Sequence, residues 1–525
     1  MKTKYIMLFF TIVLLLGCSE KWLDEPKIQG LLPAEDMLSS TSSLDALMTG
    51  AYAEGFWNVS WVGMSQLMGE FLGDTFAPGA GLGSAPDDDN RILYRREYLN
   101  VTWGQQGRFE QYTSRGVNMS NMVIKACREN LPKDAAFSSQ KNRLLGEALF
   151  WRSMAQFELI RAHGRQWDPN TISSNDLQKK VIMRTVPIFG TDDIPLYRST
   201  VKEAYDILIA SLEEAITLLP EKYDPALGHP TAFQSRGTKY AAMALLAKVY
   251  FQQSDFVNLK RILAMSIGTT PGTSNFPLAT DLKKIYQRST IPSGAKDEVM
   301  LEYFQIGPNT TNRAGKSMEM NFLRPLANVL AKPSAQFKDS AAFEVGDARF
   351  VSMMRVYKPG KTALADTVAK NNLTDPATLK ANEWTVNKFV INFNVPVLRS
   401  AELILMRAEM NAMENKLTEA LADINYIRLA HGKLTTPLVN TDKKVVYNWV
   451  LRERTREMWA EGNRGYDLLR RGALTKGAVK LWAGERQEVL SDCYNSQPVV
   501  EWDAPQLLYP IMPSEGNKNP LYDKE

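Results

Sequence analysis

The side chains best spaced for acid–base chemistry in this 525-residue sequence are Glu453 and Glu457. On a helix, two carboxylates four residues apart share one face, so they could act as a general acid and a general base on one substrate. Arginines stand beside them at Arg452, Arg454 and Arg456. A carboxylate that an arginine holds has a lowered pKa and is a poor general acid. The pattern therefore predicts a lattice of salt bridges rather than a catalytic pair.

Histidines and cysteines give little support for an enzyme or a metal site. The three histidines, His163, His229 and His431, are scattered one to a region, which makes a metal triad improbable. His163 and His431 fall at predicted helix ends, where a cation is favourable. The sequence contains no G-x-S-x-G, no phosphate-binding loop of the Walker type and no C-x-x-C. We therefore predict no catalytic residues, no bound metal and no cofactor.

A glycine-rich stretch and an acidic run lie close together between residues 79 and 90. The glycines do not fit the dinucleotide pattern G-x-G-x-x-G, because Ser84 occupies the place of the last glycine. The run from Asp87 to Asn90 lacks the glycine frame of an EF-hand loop. We therefore favour a solvated turn over a calcium site, and predict a long surface loop over residues 69–100.

Composition places the chain among globular proteins, with 44% hydrophobic and 23% charged residues. The 62 basic and 58 acidic residues nearly cancel, so the chain lacks the basic excess of a nucleic-acid-binding protein. Eleven tryptophans and 19 tyrosines exceed what a helical core needs for packing. Surplus rings of this kind often mark binding surfaces.

The first 18 residues have the features of a bacterial lipoprotein signal. Lys2 and Lys4 precede an apolar run from Ile6 to Leu16, which is too short to span a bilayer. The sequence L-L-G-C at residues 15–18 resembles a bacterial lipoprotein cleavage box. We therefore expect residues 1–17 to be removed and the Cys18 thiol to carry a lipid anchor. The other cysteines, Cys127 and Cys493, are predicted to be buried free thiols.

Hydrophobic periodicity predicts a mainly α-helical fold. After Pro396, apolar residues at helical spacing begin with Leu398, and a second stripe starts at Leu417 and ends before Gly432. The pair predicts a helix hairpin over 398–431, whose 34 residues match the tetratricopeptide period. Further helices are predicted over residues 44–52, 116–128, 140–163, 201–219, 238–253 and 445–460. Residues 268–396, rich in Gly, Pro, Asn and Thr, are predicted to form an irregular subdomain.

The run from Val450 to Gly472 reads V-L-R-E-R-T-R-E-M-W-A-E-G-N-R-G-Y-D-L-L-R-R-G. It resembles the signature of the SusD/RagB family of surface nutrient-binding lipoproteins of Bacteroidetes. The matching residues are Arg452, Glu453, Arg454, Glu457, Glu461, Gly462, Arg464, Asp467, Leu468, Arg470 and Gly472. Residues 146–164 and 398–412, the D-A-R-F of 347–350 and the closing Asn519–Pro520 also resemble elements of that family.

This resemblance implies a mainly α fold in which tetratricopeptide-like hairpins form a scaffold for a large inserted subdomain. The corresponding organisation is a signal peptide at 1–17, an N-terminal region at 18–267, the inserted subdomain at 268–396 and a C-terminal helical region at 397–525. The implied protein is lipid-anchored in the outer membrane and faces the outside of the cell. It would capture oligosaccharides and deliver them to a SusC-like TonB-dependent transporter. Peptide capture in a RagAB-like system and glycan cleavage are the alternatives.

The family resemblance also implies a glycan site on loops of the N-terminal third. Sugars need rings to stack on and polar side chains that bond their hydroxyls. Asp74 matches an acidic position of the family, and Trp103 with Gln106 lies near its ring-and-amide pair. The alternative to a sugar contact is that Trp103 lies in the buried core. The loop over residues 307–325 contains no tryptophan, so a second stacking ring is missing there or comes from elsewhere.

Overall fold

A computed structural model of the chain describes residues 34–55, 61–73, 75–78, 105–177, 179–229, 235–286, 297–303, 331–333, 337, 343–357, 383–388, 394–476, 501–511 and 519–521. Helices dominate these ranges and the strands are short, which confirms the predicted mainly α fold. Cys493 and residues 1–33 lie outside the described ranges. Within those ranges, none of the helices has the length and hydropathy required to cross a membrane.

The first half of the described chain is built from helices that pack in sequence order. They are α1 (Ala34–Met37), α2 (Thr41–Gly55), α3 (Trp61–Phe71), α4 (Gln105–Glu129), α5 (Phe137–His163), α6 (Ile172–Leu177), α7 (Val201–Leu218), α8 (Lys239–Gln253) and α9 (Phe256–Ile267). α5 packs against α4 and α7, and α8 packs against α7 and α9. α5 and α8 are buried on nearly all sides, so they form the centre of the core.

Local side-chain bonds explain where two of these helices begin. The Thr200 hydroxyl accepts the N–H of Glu203 at 3.1 Å, and the Glu203 carboxylate accepts the N–H of Thr200 at 2.8 Å. This reciprocal capping box fixes the start of α7. Thr238 caps α8 by accepting the N–H of Ala241. The predicted starts of both helices are therefore confirmed to within one residue.

The second half contains α10 (Lys283–Tyr286), α11 (Ala348–Met353), α12 (Ser400–Met413), α13 (Leu417–Ala430), α14 (Lys443–Glu457) and α15 (Arg464–Leu474). α12 packs against both α13 and α14. The predicted hairpin is confirmed, but its start at Leu398 is wrong, because residues 395–399 form a strand. The prediction also ended α14 three residues too late, since the helix stops at Glu457.

Within the described ranges, the strands form four two-stranded antiparallel sheets. β1 (Phe76–Pro78) pairs with β5 (Ala331–Pro333), and β2 (Lys179–Val181) pairs with β3 (Ser199–Thr200). β4 (Val299–Tyr303) pairs with β8 (Val395–Arg399), with Val299 opposite Arg399. β6 (Met354–Tyr357) pairs with β7 (Glu383–Val386). β8 leads directly into α12, so the β4–β8 pair attaches part of the predicted inserted region to the C-terminal helices.

The loop predicted over residues 69–100 is wrong at its start. α3 continues to Phe71, and residues 76–78 form β1. Phe71 and Phe76 are both buried. The glycines and polar residues of this stretch predict a loop, but packing of the two phenylalanines overrides that local preference. Residues 79–100 lie outside the described ranges.

Candidate functional site

The predicted site residues fall largely outside the part of the chain that the structure describes. Asp74, Trp103 and the anchor residue Cys18 lie outside the described ranges. Gln106 belongs to the first turn of α4, but its side chain is outside the description. The glycan-binding assignment of Asp74, Trp103 and Gln106 therefore stays a prediction. Described residues before and after Asp74 in the sequence contact the C-terminal region.

Glu70, near the end of α3, ties this segment to the C-terminal region. Its side chain is fully buried and accepts the backbone N–H of Gly462 at 2.8 Å. The other carboxylate oxygen accepts the hydroxyl of Thr75, the residue after Asp74, at 3.0 Å. Burial raises the pKa of Glu70 to about 7, although these two hydrogen bonds favour its charged form. One carboxyl group therefore links α3, the residue after Asp74 and the family-like E-G-N-R segment.

A close backbone approach reinforces this link. A Cβ atom placed on Gly69 would lie 1.9 Å from the carbonyl oxygen of Gly462. Gly462 itself has a φ of +79°, the left-handed region that favours glycine. Its own Cβ would lie 2.4 Å from the Cα atom of Gln66. Both positions therefore require glycine if α3 is to pack this closely on the turn between α14 and α15.

Aromatic stacking fixes the residue after Thr75. The ring of Phe76 stacks on Trp459 with centroids 5.0 Å apart and an interplanar angle of 3°. Trp459 also stacks on Phe337, with centroids 5.2 Å apart. All three rings are buried. The two residues that follow position 74 are therefore both fixed, Thr75 by its bond to Glu70 and Phe76 by its stacking on Trp459.

The charged residues of the family-like signature form a buried lattice. Arg399 donates to Glu457 at 2.6 Å and to Glu461 at 2.7 Å. Lys388 donates to Glu461 at 2.5 Å and to the carbonyl oxygens of Glu457 and Trp459. Burial alone would raise the pKa of Glu461, but Arg399 and Lys388 lower it to about 2. The lattice holds β8 and residue 388 against the end of α14.

Glu453 belongs to the same lattice. Arg349 donates to Glu453 at 2.5 Å and to Glu457 at 3.2 Å, and its other nitrogens bond the carboxylate of Asp347. Burial alone would raise the pKa of Glu457, but His431 and Arg399 lower it well below its usual range. Both carboxylates of the suspected acid–base pair are therefore held by cations. The predicted salt-bridge lattice is confirmed.

The two helix-end histidines differ from each other. His431 lies between two carboxylates, with Nε2 2.8 Å from Glu298 and Nδ1 3.0 Å from Glu457. Burial alone would lower its pKa, but the two carboxylates raise it to about 9. His163 is also buried, and burial lowers its pKa to about 4. Although His163 lies at a helix end, where a cation is favourable, the loss of hydration on burial outweighs that effect.

A small polar cavity lies beside this lattice. Its volume is about 40 Å³, and its charged lining residues are Glu158, Arg161, Lys248 and Glu461. Small-molecule sites usually measure about 300–1,000 Å³, whereas one water needs only about 10–15 Å³. The cavity therefore has room for water but not for a sugar ring. Among the described residues, no three His, Cys, Asp or Glu side chains are grouped so that they could hold a metal ion.

The sequence does not indicate that Glu70 bonds the C-terminal region, or that His431 is a cation held between two carboxylates. In the sequence, Glu70 is the second residue of the run G-E-F-L-G-D-T, which also contains Asp74. The contact partner of Glu70 lies 392 residues later in the chain, and no local pattern predicts such a contact. The absence of nearby counter-charges in the sequence around Glu70 was the available signal that its carboxyl group is unusual.

Comparisons with known proteins agree with this architecture. The family model described as "SusD family" matches residues 367–524, and a SusD-like model described as "Starch-binding associating with outer membrane" matches residues 21–251. A SusD-like protein of Bacteroides ovatus is 24% identical over 259 residues. That match covers 49% of this chain and 41% of the relative, so it spans less than half of the relative's length.

Solved structures show the same fold over nearly the whole chain. A SusD superfamily protein from Bacteroides thetaiotaomicron has a TM-score of 0.69 at 17% identity and covers 92% of this chain and 99% of its own. A SusD-like carbohydrate binding protein from Bacteroides vulgatus has a TM-score of 0.66 at 15% identity, with coverages of 93% and 98%. At these identities, the likeness shows the fold alone. The two family models match separate parts of the sequence, so the chain is similar to SusD family proteins in its N-terminal and its C-terminal regions.

Proposed function

We propose that this protein is an outer-membrane lipoprotein that captures oligosaccharides at the cell surface and delivers them to a SusC-like TonB-dependent transporter. The matching family model describes starch binding and association with the outer membrane. The solved relative from Bacteroides vulgatus is described as a carbohydrate binding protein. In this proposal the chain binds sugar and passes it on without cleaving it.

The observation that carries the proposal is the fixed position of the two residues that follow Asp74 in the sequence. Thr75 is bonded to the buried Glu70, and the next residue, Phe76, is stacked on Trp459. In this proposal these neighbours restrain Asp74, and a restrained side chain loses little conformational freedom when it meets a ligand. Asp74 would accept sugar hydroxyls, and Gln106 would contribute an amide at the start of α4. Trp103, two residues before that helix, would supply the stacking ring.

The buried ion pairs favour a scaffold role over catalysis for the signature region. Glu453 and Glu457 each accept from a buried arginine, so both carboxylates are already engaged in ion pairs. Glycoside hydrolysis needs one carboxylic acid that stays protonated near the scissile bond. We therefore assign the signature to positioning of the N-terminal segments, and the ligand contacts to the loops around residues 74 and 103.

Binding of soluble polysaccharides tests the proposal directly. Purified protein would be run in native gels cast with amylopectin, xyloglucan, arabinan or mannan, and in a gel without polysaccharide. Retardation by at least one glycan is expected, and Asp74→Ala should reduce it. Retardation by none of them, with binding of mixed peptides instead, would favour the peptide-uptake alternative. Release of new reducing ends during incubation would overturn the assignment as a binding protein.

Co-purification tests the delivery step. The proposal expects a tagged version of this lipoprotein to bring down a TonB-dependent transporter from detergent-solubilised outer membranes. A weakly solubilising detergent suits the experiment because association through a large face tolerates mild extraction. Recovery of the lipoprotein alone under conditions that keep a known transporter complex intact would contradict the partnership.

A further inference from the structure

The exposed aromatic rings of the described residues lie in one segment, between β2 and β3. They are Phe189, which is 44% exposed, and Tyr197, which is 51% exposed. Among the side chains that the structure describes, the remaining large rings are buried or half-buried. Exposed rings contribute little to folding, and in a protein rich in aromatic residues they indicate a binding surface.

The backbone beside Tyr197 is held firmly from both directions. The N–H of Leu196 donates to Asn519 Oδ1 at 3.1 Å, and its carbonyl oxygen accepts from Asn519 Nδ2 at 2.7 Å. Asn519 belongs to the Asn-Pro pair near the C-terminus and is only 1% exposed. On the other side, Ser199 pairs with Val181 in the β2–β3 sheet. Tyr197 is therefore exposed because the fold holds it there, which reduces the entropy lost on binding.

An open cleft of about 490 Å³ begins at this ring. It is lined by Tyr197, Arg198, Ser199, Glu203, Asp206 and Ile207. Glu203 is occupied by the capping box of α7. Asp206 pairs with Lys202 at 2.5 Å, but both side chains are more than one-third exposed. Such a surface pair is weak, so Asp206 can exchange its lysine for a ligand hydroxyl.

We propose that this cleft is a second carbohydrate-binding site, where a sugar ring packs on Tyr197 and its hydroxyls bond Arg198 and Asp206. This inference rests on the proposed function, because it assumes that the protein binds glycans. The ring supplies a flat apolar surface, the carboxylate accepts hydroxyl protons, and the guanidinium donates to hydroxyl oxygens. Because the lining carries both signs of charge, the geometry favours a neutral sugar.

The segment that carries the cleft is attached to α4 far from the start of that helix, where Gln106 lies. The segment that carries Tyr197 is attached to α4 through Asn118, which accepts the N–H of Ile188 at 2.7 Å and donates to its carbonyl oxygen at 3.2 Å. Asn118 lies about 20 Å along the helix axis from Gln105. A long polysaccharide could therefore engage both sites, whereas a short oligosaccharide would engage one.

A docking protein is the other occupant that an exposed ring allows. The centre of a protein–protein interface is depleted in Asp, Glu and Ser, and all three residue types line this cleft. The cleft is also concave, and its volume lies within the range of about 300–1,000 Å³ typical of small-ligand sites. These features favour the glycan.

The test compares substitutions at the two exposed rings in the full-length lipoprotein. Tyr197→Ala and Asp206→Ala would remove cleft contacts, Tyr197→Phe would keep the ring, and Phe189→Ala would remove an exposed ring outside the cleft. Affinity would be measured in native gels cast with amylopectin, xyloglucan, arabinan or mannan. Loss of one ring contact should lower the affinity for the retained polysaccharide about fivefold in Tyr197→Ala. The melting temperature should not change, and Phe189→Ala should bind like wild type.

The outcomes separate this inference from the proposed function. If a polysaccharide retards Tyr197→Ala and Asp206→Ala as strongly as it retards wild type, the proposal of a second site is wrong. The proposed capture of glycans would still stand. An equal loss in Phe189→Ala would also overturn the cleft assignment. Unchanged glycan affinity with weaker co-purification of a transporter would identify the ring as a protein contact instead. If no polysaccharide retards the wild type, the proposed function and the second site both fail.

Discussion

The carboxylate of Glu70 accepts the backbone N–H of Gly462 at 2.8 Å, and so joins residues that are 392 positions apart in the sequence. Burial raises the pKa of Glu70 to about 7, so near neutral pH the contact is made by a mixture of charged and neutral forms. An ordinary glutamate ionises near pH 4.3 in an unfolded chain. The difference makes this contact sensitive to pH.

We expect Glu70→Gln to gain stability relative to wild type as the pH rises from 5 to 8. The folded state holds the Glu70 proton more tightly than the unfolded state does, so wild type loses stability over this range. The loss approaches about 3 kcal/mol above pH 7. Glutamine stays neutral and can still accept the Gly462 N–H. Urea unfolding of both proteins at several pH values measures the difference, and a difference independent of pH would contradict the assignment.

Gly69→Ala should destabilise the protein through the backbone contact with Gly462. The new Cβ would lie 1.9 Å from a carbonyl oxygen, and neither backbone can move without disturbing the Glu70 link. We expect a loss of about 1–3 kcal/mol or more in the free energy of unfolding. Gly190→Ala is the matched control, because nothing lies within 4 Å of the corresponding Cβ position. Equal midpoints of urea unfolding for the two variants would show that α3 is not tightly packed here.

His431 should stabilise the fold at neutral pH and stop doing so in alkali. Its pKa is raised to about 9 in the folded state by Glu298 and Glu457, against about 6.5 in an unfolded chain. The stabilisation is therefore complete below pH 6.5 and disappears as the pH rises through 9. It amounts to about 3 kcal/mol at its full value.

His431→Gln tests this prediction. The variant should be less stable than wild type at pH 6, and the difference should shrink towards pH 10. Comparing the variant with wild type at each pH removes the contribution of lysines that titrate in the same range. A difference that stays constant from pH 6 to 10 would mean that His431 is not charged in the folded protein.

The helical half of this fold could be predicted from sequence because its signals are local. Thr200 and Thr238 stand immediately before apolar periodic runs, and both prove to be caps. The sequence pattern wrongly predicts a helix at Leu398, because β8 is apolar on both faces and continues into α12 without a break. Its buried residues happen to fit helical spacing, and only pairing with β4 distinguishes the strand.

The candidate site was harder to predict than the helices, because the residues next to it in sequence are fixed by contacts with distant parts of the chain. The link from Glu70 to Gly462 and the Phe76–Trp459 stack join the two ends of the sequence. Composition around Tyr197 does not reveal that its ring is exposed, since Tyr205 and Tyr223 nearby are buried. Exposure here follows from the Asn519 bonds to Leu196, and those require the C-terminus to fold back onto the segment.

Cys18→Ala should yield a folded protein without lipid. The proposed anchor precedes α1, the first described helix, so its removal should leave the packed helices intact. Cells grown with radiolabelled palmitate should label wild type only, and the variant should leave the membrane fraction while keeping its melting temperature. Equal labelling of both proteins would place the lipid on another residue. Cys127 is a poor candidate for that role, because it is buried and its pKa is raised to about 12.

Trp103→Ala decides between the proposed sugar contact and a core position for this ring. If Trp103 stacks on a sugar, its removal should weaken glycan binding by about 1 kcal/mol or more and leave the melting temperature unchanged. If the ring is buried, the same change leaves a cavity and lowers the free energy of unfolding by about 3–5 kcal/mol. We expect the first result, because Trp103 lies just before α4 and close in sequence to Gln106.

Both quantities can be measured on one preparation, by thermal unfolding and by titration with the glycan that retards wild type. Trp459→Ala supplies the reference for a buried ring, because Trp459 is 1% exposed and stacks on Phe76. That variant should lose stability whatever the role of Trp103. A Trp103→Ala protein that melts as early as Trp459→Ala would remove residue 103 from the proposed site and leave Asp74 and Gln106 without a stacking ring beside them.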